Sequence, residues 1–209
     1  MPLHKIIHIN ENTTAYFWHI TEDVTSLFRA VSLRDTSLFR LEGMKSEEHQ
    51  KGFLAVRILL QHLGYTDYDL TYDEAGKPHL SDGKHISISH SHEFSCICIS
   101  DELMGIDLEK LKEKTLKIAP RFMEVKHLEN LTTSEQIEKA TVIWGVKESI
   151  FKIKNEKGIS FPEHIFEDEF CFSDGKCSAE LHFNNTIEKF NIQFYKVEDY
   201  IFVCAFPNK

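Results

Sequence analysis

No apolar run in this sequence approaches the roughly 20 residues of a membrane-spanning helix, so no membrane role is expected. No Cys-x-x-Cys pair occurs among its five cysteines: Cys96 and Cys98 stand one residue apart, and Cys171, Cys177 and Cys204 are scattered. That removes the usual zinc and dithiol-redox spacings and predicts buried free thiols in a reducing cytoplasm. The N-terminal "MPLHKIIHINENTTAYFWHI" lacks a charged segment leading into a long apolar one, so no secretory signal is expected. Positive charge is short, with 24 basic residues against 33 acidic and a net charge of −9, which argues against general nucleic-acid binding.

Apolar mass is not lacking. Hydrophobic residues make up 42% of 209, with 16 phenylalanines, enough for one large domain or two small ones around a real core. Segment 46–64, "SEEHQKGFLAVRILLQHLG", reads as a helix. Ser46 caps it, Glu47 and Glu48 suit its positive end, and Phe53, Val56, Leu60 and Leu63 recur at helical spacing up to Gly64. "YDLTYD" alternates like a strand, "EAGKPHLSDGK" is rich in turn residues, and "HISISHSHEFSCICIS" reads as a strand pair. The second half repeats this order. Segment 133–154 reads as a helix with Thr133 and Gln136 at capping-box spacing, followed by strand-like pieces around the turn "DGK". Two similar α+β halves follow from this, joined near residues 100–106.

Three stretches carry chemistry. In "MGIDLEKL", Asp107 and Glu109 are two apart at a strand end, hence on one face. Such a pair is either a solvated edge or a site where a cation relieves the repulsion. In "WGVKESIFK", Glu148 and Lys152 share a helix face with Trp144, as an ordinary ion pair beside a core Trp or as part of a site. Three carboxylates and a lysine suit a hard divalent cation and a phosphate. The third stretch is "GKPHL" followed by "SISHS": a glycine-containing turn with Lys77, then Ser89, His90 and Ser91. His90-x-His92 has zinc-like spacing, but nothing else completes a zinc set.

Taken together, "GKPHL", "SISHS", "GIDLEK" and "WGVKESIFK" resemble, in order and spacing, the 4′-phosphopantetheinyl transferase superfamily in its larger single-chain, surfactin synthetase activator-like form. The first 45 residues match only loosely. The resemblance implies an Mg²⁺-dependent transfer of the phosphopantetheine arm of coenzyme A onto a serine of an apo acyl or peptidyl carrier protein. Adenosine 3′,5′-bisphosphate is released. It implies Asp107, Glu109 and Glu148 as metal ligands, Glu148 also as the base, and Lys152 as the group that stabilises pyrophosphate charge. Lys77, Ser89 and His90 would contact coenzyme A. Arg57 either supports that pocket or makes a structural ion pair. Lys45 and Lys51 are candidates for the nucleotide phosphate. Several family members have glycine where this chain has His92.

The expected architecture is α+β, two similar halves in pseudo-twofold arrangement, each a small, mainly antiparallel sheet packed on a long helix. Residues 1–104 would carry coenzyme A recognition and residues 105–209 the metal and the Glu148 helix. Two fused halves make a cytoplasmic monomer the default. The alternatives are a non-catalytic relative that holds coenzyme A or a carrier, and an unrelated Mg²⁺-dependent phosphohydrolase. Lys110–Lys126 holds six basic residues against two acidic ones, interleaved with Leu111, Leu116, Ile118, Phe122, Met123 and Val125. This run either docks the acidic carrier or has its apolar residues in the core.

Overall fold

The computed structural model describes residues 3–208. The chain divides into two compact units between Glu102 and Leu103. The first holds β1 (Lys5–Asn10), β2 (Thr13–His19), α1 (Val24–Arg29), α2 (Asp35–Glu42), α3 (Glu47–His62), β3 (Leu70–Tyr72), β4 (Pro78–Leu80), β5 (His85–Ser91) and β6 (Phe94–Ser100). The second holds β7 (Gly105–Lys110), α4 (Lys114–Ile118), α5 (Thr133–Lys154), α6 (Phe161–His164), β8 (Ile165–Glu167), β9 (Lys176–Phe183), β10 (Thr186–Val197) and β11 (Tyr200–Pro207). The architecture is α+β, and every strand pairing is antiparallel. No helix among the described residues is long and apolar enough to cross a membrane.

In the first unit the sheet runs β1-β2-β6-β5. Helix α3 starts where expected, with the Ser46 side chain accepting from the His49 backbone N–H. It buries an unbroken stretch from Gly52 to Leu60 against Trp18, Ile86 and Ile97 of the sheet. The loosely matching N-terminal residues supply an inner strand of the sheet, β2, with buried and half-buried residues alternating over Thr13–Tyr16. The turn-rich stretch "EAGKPHLSDGK" also holds a strand, β4, paired with β3 after a turn that the Asp73 carboxylate closes by accepting from the Lys77 backbone N–H. Ser91 and Phe94 pair across the β5–β6 hairpin, and His92 in its turn has φ 49. This left-handed conformation is the one glycine adopts at least cost.

The second unit's sheet runs β7-β11-β10-β9-β8. Helix α5 is capped one residue earlier than the sequence reading placed it. The capping box is Thr132 with Glu135: the Glu135 carboxylate accepts from the Thr132 backbone N–H at 2.8 Å. A carboxylate at the positive end of a helix is favoured over the neutral Gln136, which decides between two overlapping capping patterns. The helix ends at Asn155, in the left-handed region.

The two units share a connection pattern. In each, a strand precedes the long helix, and the last strand of the unit pairs with both that strand and the penultimate one: β2-β6-β5 and β7-β11-β10. The basic run after β7 turns its apolar side inward. Phe122 and Met123 are 1% and 5% exposed, in the core with Ala119, while Leu111, Leu116 and Ile118 pack against it. Of the interleaved apolar residues Val125 is exposed and Leu111, Leu116 and Ile118 are half-buried. The run's apolar residues close the core over α5, as the Phe122–Trp144 ring contact at 5.1 Å illustrates.

One buried charge cluster ties the first unit together. The Arg57 guanidinium lies 3.1 Å from the Asp67 carboxylate, and both side chains are nearly inaccessible. Asp67 also accepts from the Arg34 backbone N–H at 3.0 Å, linking the start of α2 to α3. Removing one partner of such a pair leaves the other charge buried and uncompensated. Asp67→Ala should therefore destabilise the protein by roughly 3–5 kcal/mol in chemical denaturation. Breaking the exposed Lys51–Glu47 pair by Glu47→Ala should cost well under about 1 kcal/mol. Equal effects would show that Asp67 is not the tie.

Candidate functional site

Two glycines decide how close α5 comes to its sheet. A Cβ on Gly105 of β7 would lie 2.0 Å from the Ser149 carbonyl oxygen of α5. A Cβ on Gly145 of α5 would lie 2.5 Å from Val203 of β11 and 3.8 Å from the Asp107 carboxylate. The 2.0 Å and 2.5 Å approaches leave no room for a side chain, so β7 meets the α5 backbone directly at Gly105 and the Val203 side chain rests on the α5 backbone at Gly145. The sequence reading passed over both glycines as parts of longer motifs. Their signal was present: a glycine inside a helix costs about 1 kcal/mol relative to alanine and marks a close approach.

That approach brings the expected carboxylate and lysine groups together. Asp107, 4% exposed, lies on β7 two residues after Gly105 and so on the same face, toward α5. The Lys152 ammonium donates to the Asp107 carboxylate at 2.8 Å and to the Ile106 carbonyl at 2.9 Å. Glu148 precedes Lys152 by one helical turn and is half-buried. Burial, and then the Asp107 charge, raise the Glu148 carboxyl above its ordinary range, with Lys152 opposing them. Glu109 follows Asp107 on the same face, half-buried and opposite Ile201 of β11. Trp144 packs edge-on against Phe122 and Phe161 at the same helix.

Among the described residues, no group of three or more His, Cys, Asp or Glu side chains is gathered to hold a metal ion by itself. The donor chemistry nevertheless fits Mg²⁺. That ion takes one or two protein carboxylates, keeps several waters and leaves the rest of its octahedron to substrate phosphates. The Glu148 carboxyl is raised first by burial and second by the Asp107 charge, and a cation between the two carboxylates would favour the ionised form.

The other expected residues lie in the first unit. Lys77 sits half-buried in the Asp73–Pro78 turn, with Gly76 at φ +84. Ser89 and His90 are neighbours on β5 and therefore point to opposite faces: Ser89 is buried in line with Ser87 and Ser91, while His90 is exposed beside α3. The strand does not present them as one patch. His90 meets Gly52 of α3 and the His49 ring, 5.9 Å away edge-on. Arg57 is turned inward onto Asp67 and stacked 3.5 Å from the Phe53 ring centroid. Of the two readings left open for it, the structure shows the ion pair. Lys51 pairs with Glu47 at 3.0 Å, and His92 with Glu48 at 3.1 Å.

Comparison with known proteins bears on this arrangement. Residues 103–205 match the family model described as the 4′-phosphopantetheinyl transferase superfamily. The chain is 32% identical over 124 residues to 4′-phosphopantetheinyl transferase Sfp of Bacillus subtilis strain 168, covering 57% of this chain and 54% of that protein. It is 31% identical over 129 residues to 4′-phosphopantetheinyl transferase ffp of Bacillus subtilis, covering 59% and 57%. To 4′-phosphopantetheinyl transferase gsp of Aneurinibacillus migulanus it is 32% identical over 121 residues, covering 55% and 51%. The matched region thus spans about half the length of these curated relatives.

The raised Glu148 carboxyl makes a stability prediction for the metal-free protein. A group that holds its proton more tightly when folded favours the fold at low pH, and that increment is lost as pH rises through the folded value. Glu148→Gln removes the ionisation. The variant should melt higher than the wild type at about pH 8 and equally below about pH 4, under the ordinary glutamate range. A lower melting temperature for Glu148→Gln at about pH 8 would contradict the assignment of burial and Asp107 as the causes.

Proposed function

We propose, for a chain whose residues 103–205 belong to the 4′-phosphopantetheinyl transferase superfamily, that the whole protein transfers the phosphopantetheine arm of coenzyme A to a serine of an apo acyl or peptidyl carrier protein. The observation that carries this reading is the Asp107–Lys152 pair with Glu148 one turn away, set on "GIDLEK" and "WGVKESIFK" inside the matched segment. Asp107, Glu109 and Glu148 would hold Mg²⁺, which when bound supplies positive charge to the pyrophosphate. Glu148, whose raised carboxyl makes it a stronger base than an ordinary glutamate, takes the proton from the carrier serine. The serine oxygen forms a bond to the phosphorus that bears the pantetheine arm. The P–O bond to the other phosphate breaks, and adenosine 3′,5′-bisphosphate leaves. The Lys152 ammonium steadies the charge that gathers on the leaving side.

Residues 1–104 carry coenzyme A recognition through Lys77, Ser89 and His90 in this proposal, and residues 105–209 the metal and proton chemistry. Arg57 is left out of the coenzyme A contacts because Asp67 holds it inside. A common origin of the halves, which underlies the expected pseudo-twofold relation, belongs to the same proposal. It is supported by the shared strand–helix–strand pattern of the two units. A cytoplasmic, monomeric enzyme without nucleic acid or membrane partners completes it.

Incubation with coenzyme A, Mg²⁺ and a panel of apo carriers, read by mass spectrometry, tests the activity. At least one carrier should gain a single phosphopantetheine. Coenzyme A binding without mass gain would indicate a non-catalytic relative, and phosphate release from simple esters a phosphohydrolase. Asp107→Ala should abolish transfer while leaving the fold intact. Lys152→Met should lower kcat on the order of a hundredfold, as loss of a preorganised electrostatic donor does. A Lys152→Met variant whose only defect is a raised KM for coenzyme A would show that the lysine merely binds.

A further inference from the structure

Helix α3 contains a glycine, Gly52, one turn inside its start and completely covered. A buried glycine at an interior helix position gives up about 1 kcal/mol of helix stability relative to alanine. Helix packing against the sheet does not by itself require it, since Phe53, Leu54 and Ala55 alongside are ordinary core residues. Two contacts from the β5–β6 hairpin do converge on it. The Ser95 hydroxyl of β6 donates to the Gly52 carbonyl at 3.3 Å. From β5, the imidazole of His90 lies across the glycine, so that a Cβ on residue 52 would be 2.8 Å from the ring's Cδ2 and 3.1 Å from its Cγ.

Ser95 and His90 are cross-strand partners, so their side chains leave the hairpin on the same face and meet the same helical residue. The backbone of β5 at His90 is fixed by its pairing with β6. The hairpin cannot retreat from an added methyl without losing that pairing or the Ser95 bond. The imidazole, the movable part, would have to rotate away. His49, one turn earlier on α3, stands edge-on to the same ring and limits where it could go.

We propose that Gly52 is a positioning residue for coenzyme A binding: it forms the flat seat on which α3 holds the His90 imidazole in its binding orientation. This rests on the reading that His90 contacts coenzyme A. The seat also explains a glycine at a position where alanine would make a better helix.

The test uses the full-length enzyme with coenzyme A, an apo carrier and the variants Gly52→Ala, His90→Ala and the double variant. In metal-free, ligand-free protein, the His90 ring resonance, assigned by its loss in His90→Ala, should move in Gly52→Ala while that of His8 stays in place. In turnover, Gly52→Ala should raise KM for coenzyme A at least fivefold, with kcat and the carrier KM changing less than twofold. The double variant should be no worse than His90→Ala alone. An unmoved His90 resonance overturns the seat, and so does a coenzyme A KM that stays within twofold. Losses that add in the double variant overturn it too, since they place the glycine's effect elsewhere. If Gly52→Ala fails to fold, the double variant with His90→Ala, which removes the ring the methyl would strike, should recover folding, and a double variant that fails equally overturns the seat. The parent reading fails separately: His90→Ala with an unchanged coenzyme A KM removes His90 from the cofactor even where the ring is seated as described.

Discussion

Gly105 of β7 meets the Ser149 carbonyl of α5 with no space for a Cβ, and Gly145 of α5 receives the Val203 side chain of β11 with no more room. Everything else at the candidate site depends on these two close approaches. A helix resting on ordinary side chains stands about 10 Å from its sheet, and a lysine one turn further on would reach past the strand into water. Brought in by two missing side chains, α5 instead sets Lys152 on the Asp107 carboxylate and the Ile106 carbonyl. Glu148 is carried into the same half-buried space, where burial and the Asp107 charge raise its carboxyl.

The electrostatic result is a site that is close to balanced but not balanced. The Lys152 ammonium pairs with Asp107, while burial and the Asp107 charge raise the nearby Glu148 carboxyl. Ground-state strain of this kind is common where chemistry is done, because a group that is awkward in the resting protein is relieved when the substrate charges arrive. The first unit shows the contrasting solution. Asp67 there is paired with Arg57 and accepts from the Arg34 backbone.

Much of this could be read from the sequence where periodicity and local chemistry agree. Helices α3 and α5, the β5–β6 strand pair and the shared faces of Asp107 with Glu109 and of Glu148 with Lys152 follow from spacing that a single local rule decides, whereas the Asp107–Lys152 pair joins residues 45 apart and appears only in the fold. The misplaced cap on α5 came from two overlapping Thr-x-x-acceptor patterns, which only the charge of Glu135 separates. Strand β2 went unread because the N-terminal residues hold no long periodic run, though they form an inner strand once β6 lies beside them. The inward turn of Phe122 and Met123 was invisible because apolar residues among lysines look alike whether they face a partner or a core. Ser89 and His90, both implied as coenzyme A contacts, are neighbours on a strand, and strand alternation sets them on opposite faces. Arg57 could not be assigned until Asp67, ten residues on, was seen beside it.

The central claim is that the glycine contact makes Asp107, Glu148 and Lys152 one electrostatic unit. Its most direct test is a double-mutant cycle between Asp107→Asn and Lys152→Met in metal-free protein, read by chemical denaturation in the wild-type and Gly105→Ala backgrounds. In the wild-type background the two substitutions should show a coupling of about 0.5–3 kcal/mol, the range for residues in contact. With alanine at 105 forcing helix and strand apart, the coupling should fall toward zero. A coupling that persists undiminished in the Gly105→Ala background, or that is absent from the wild type, would contradict the account.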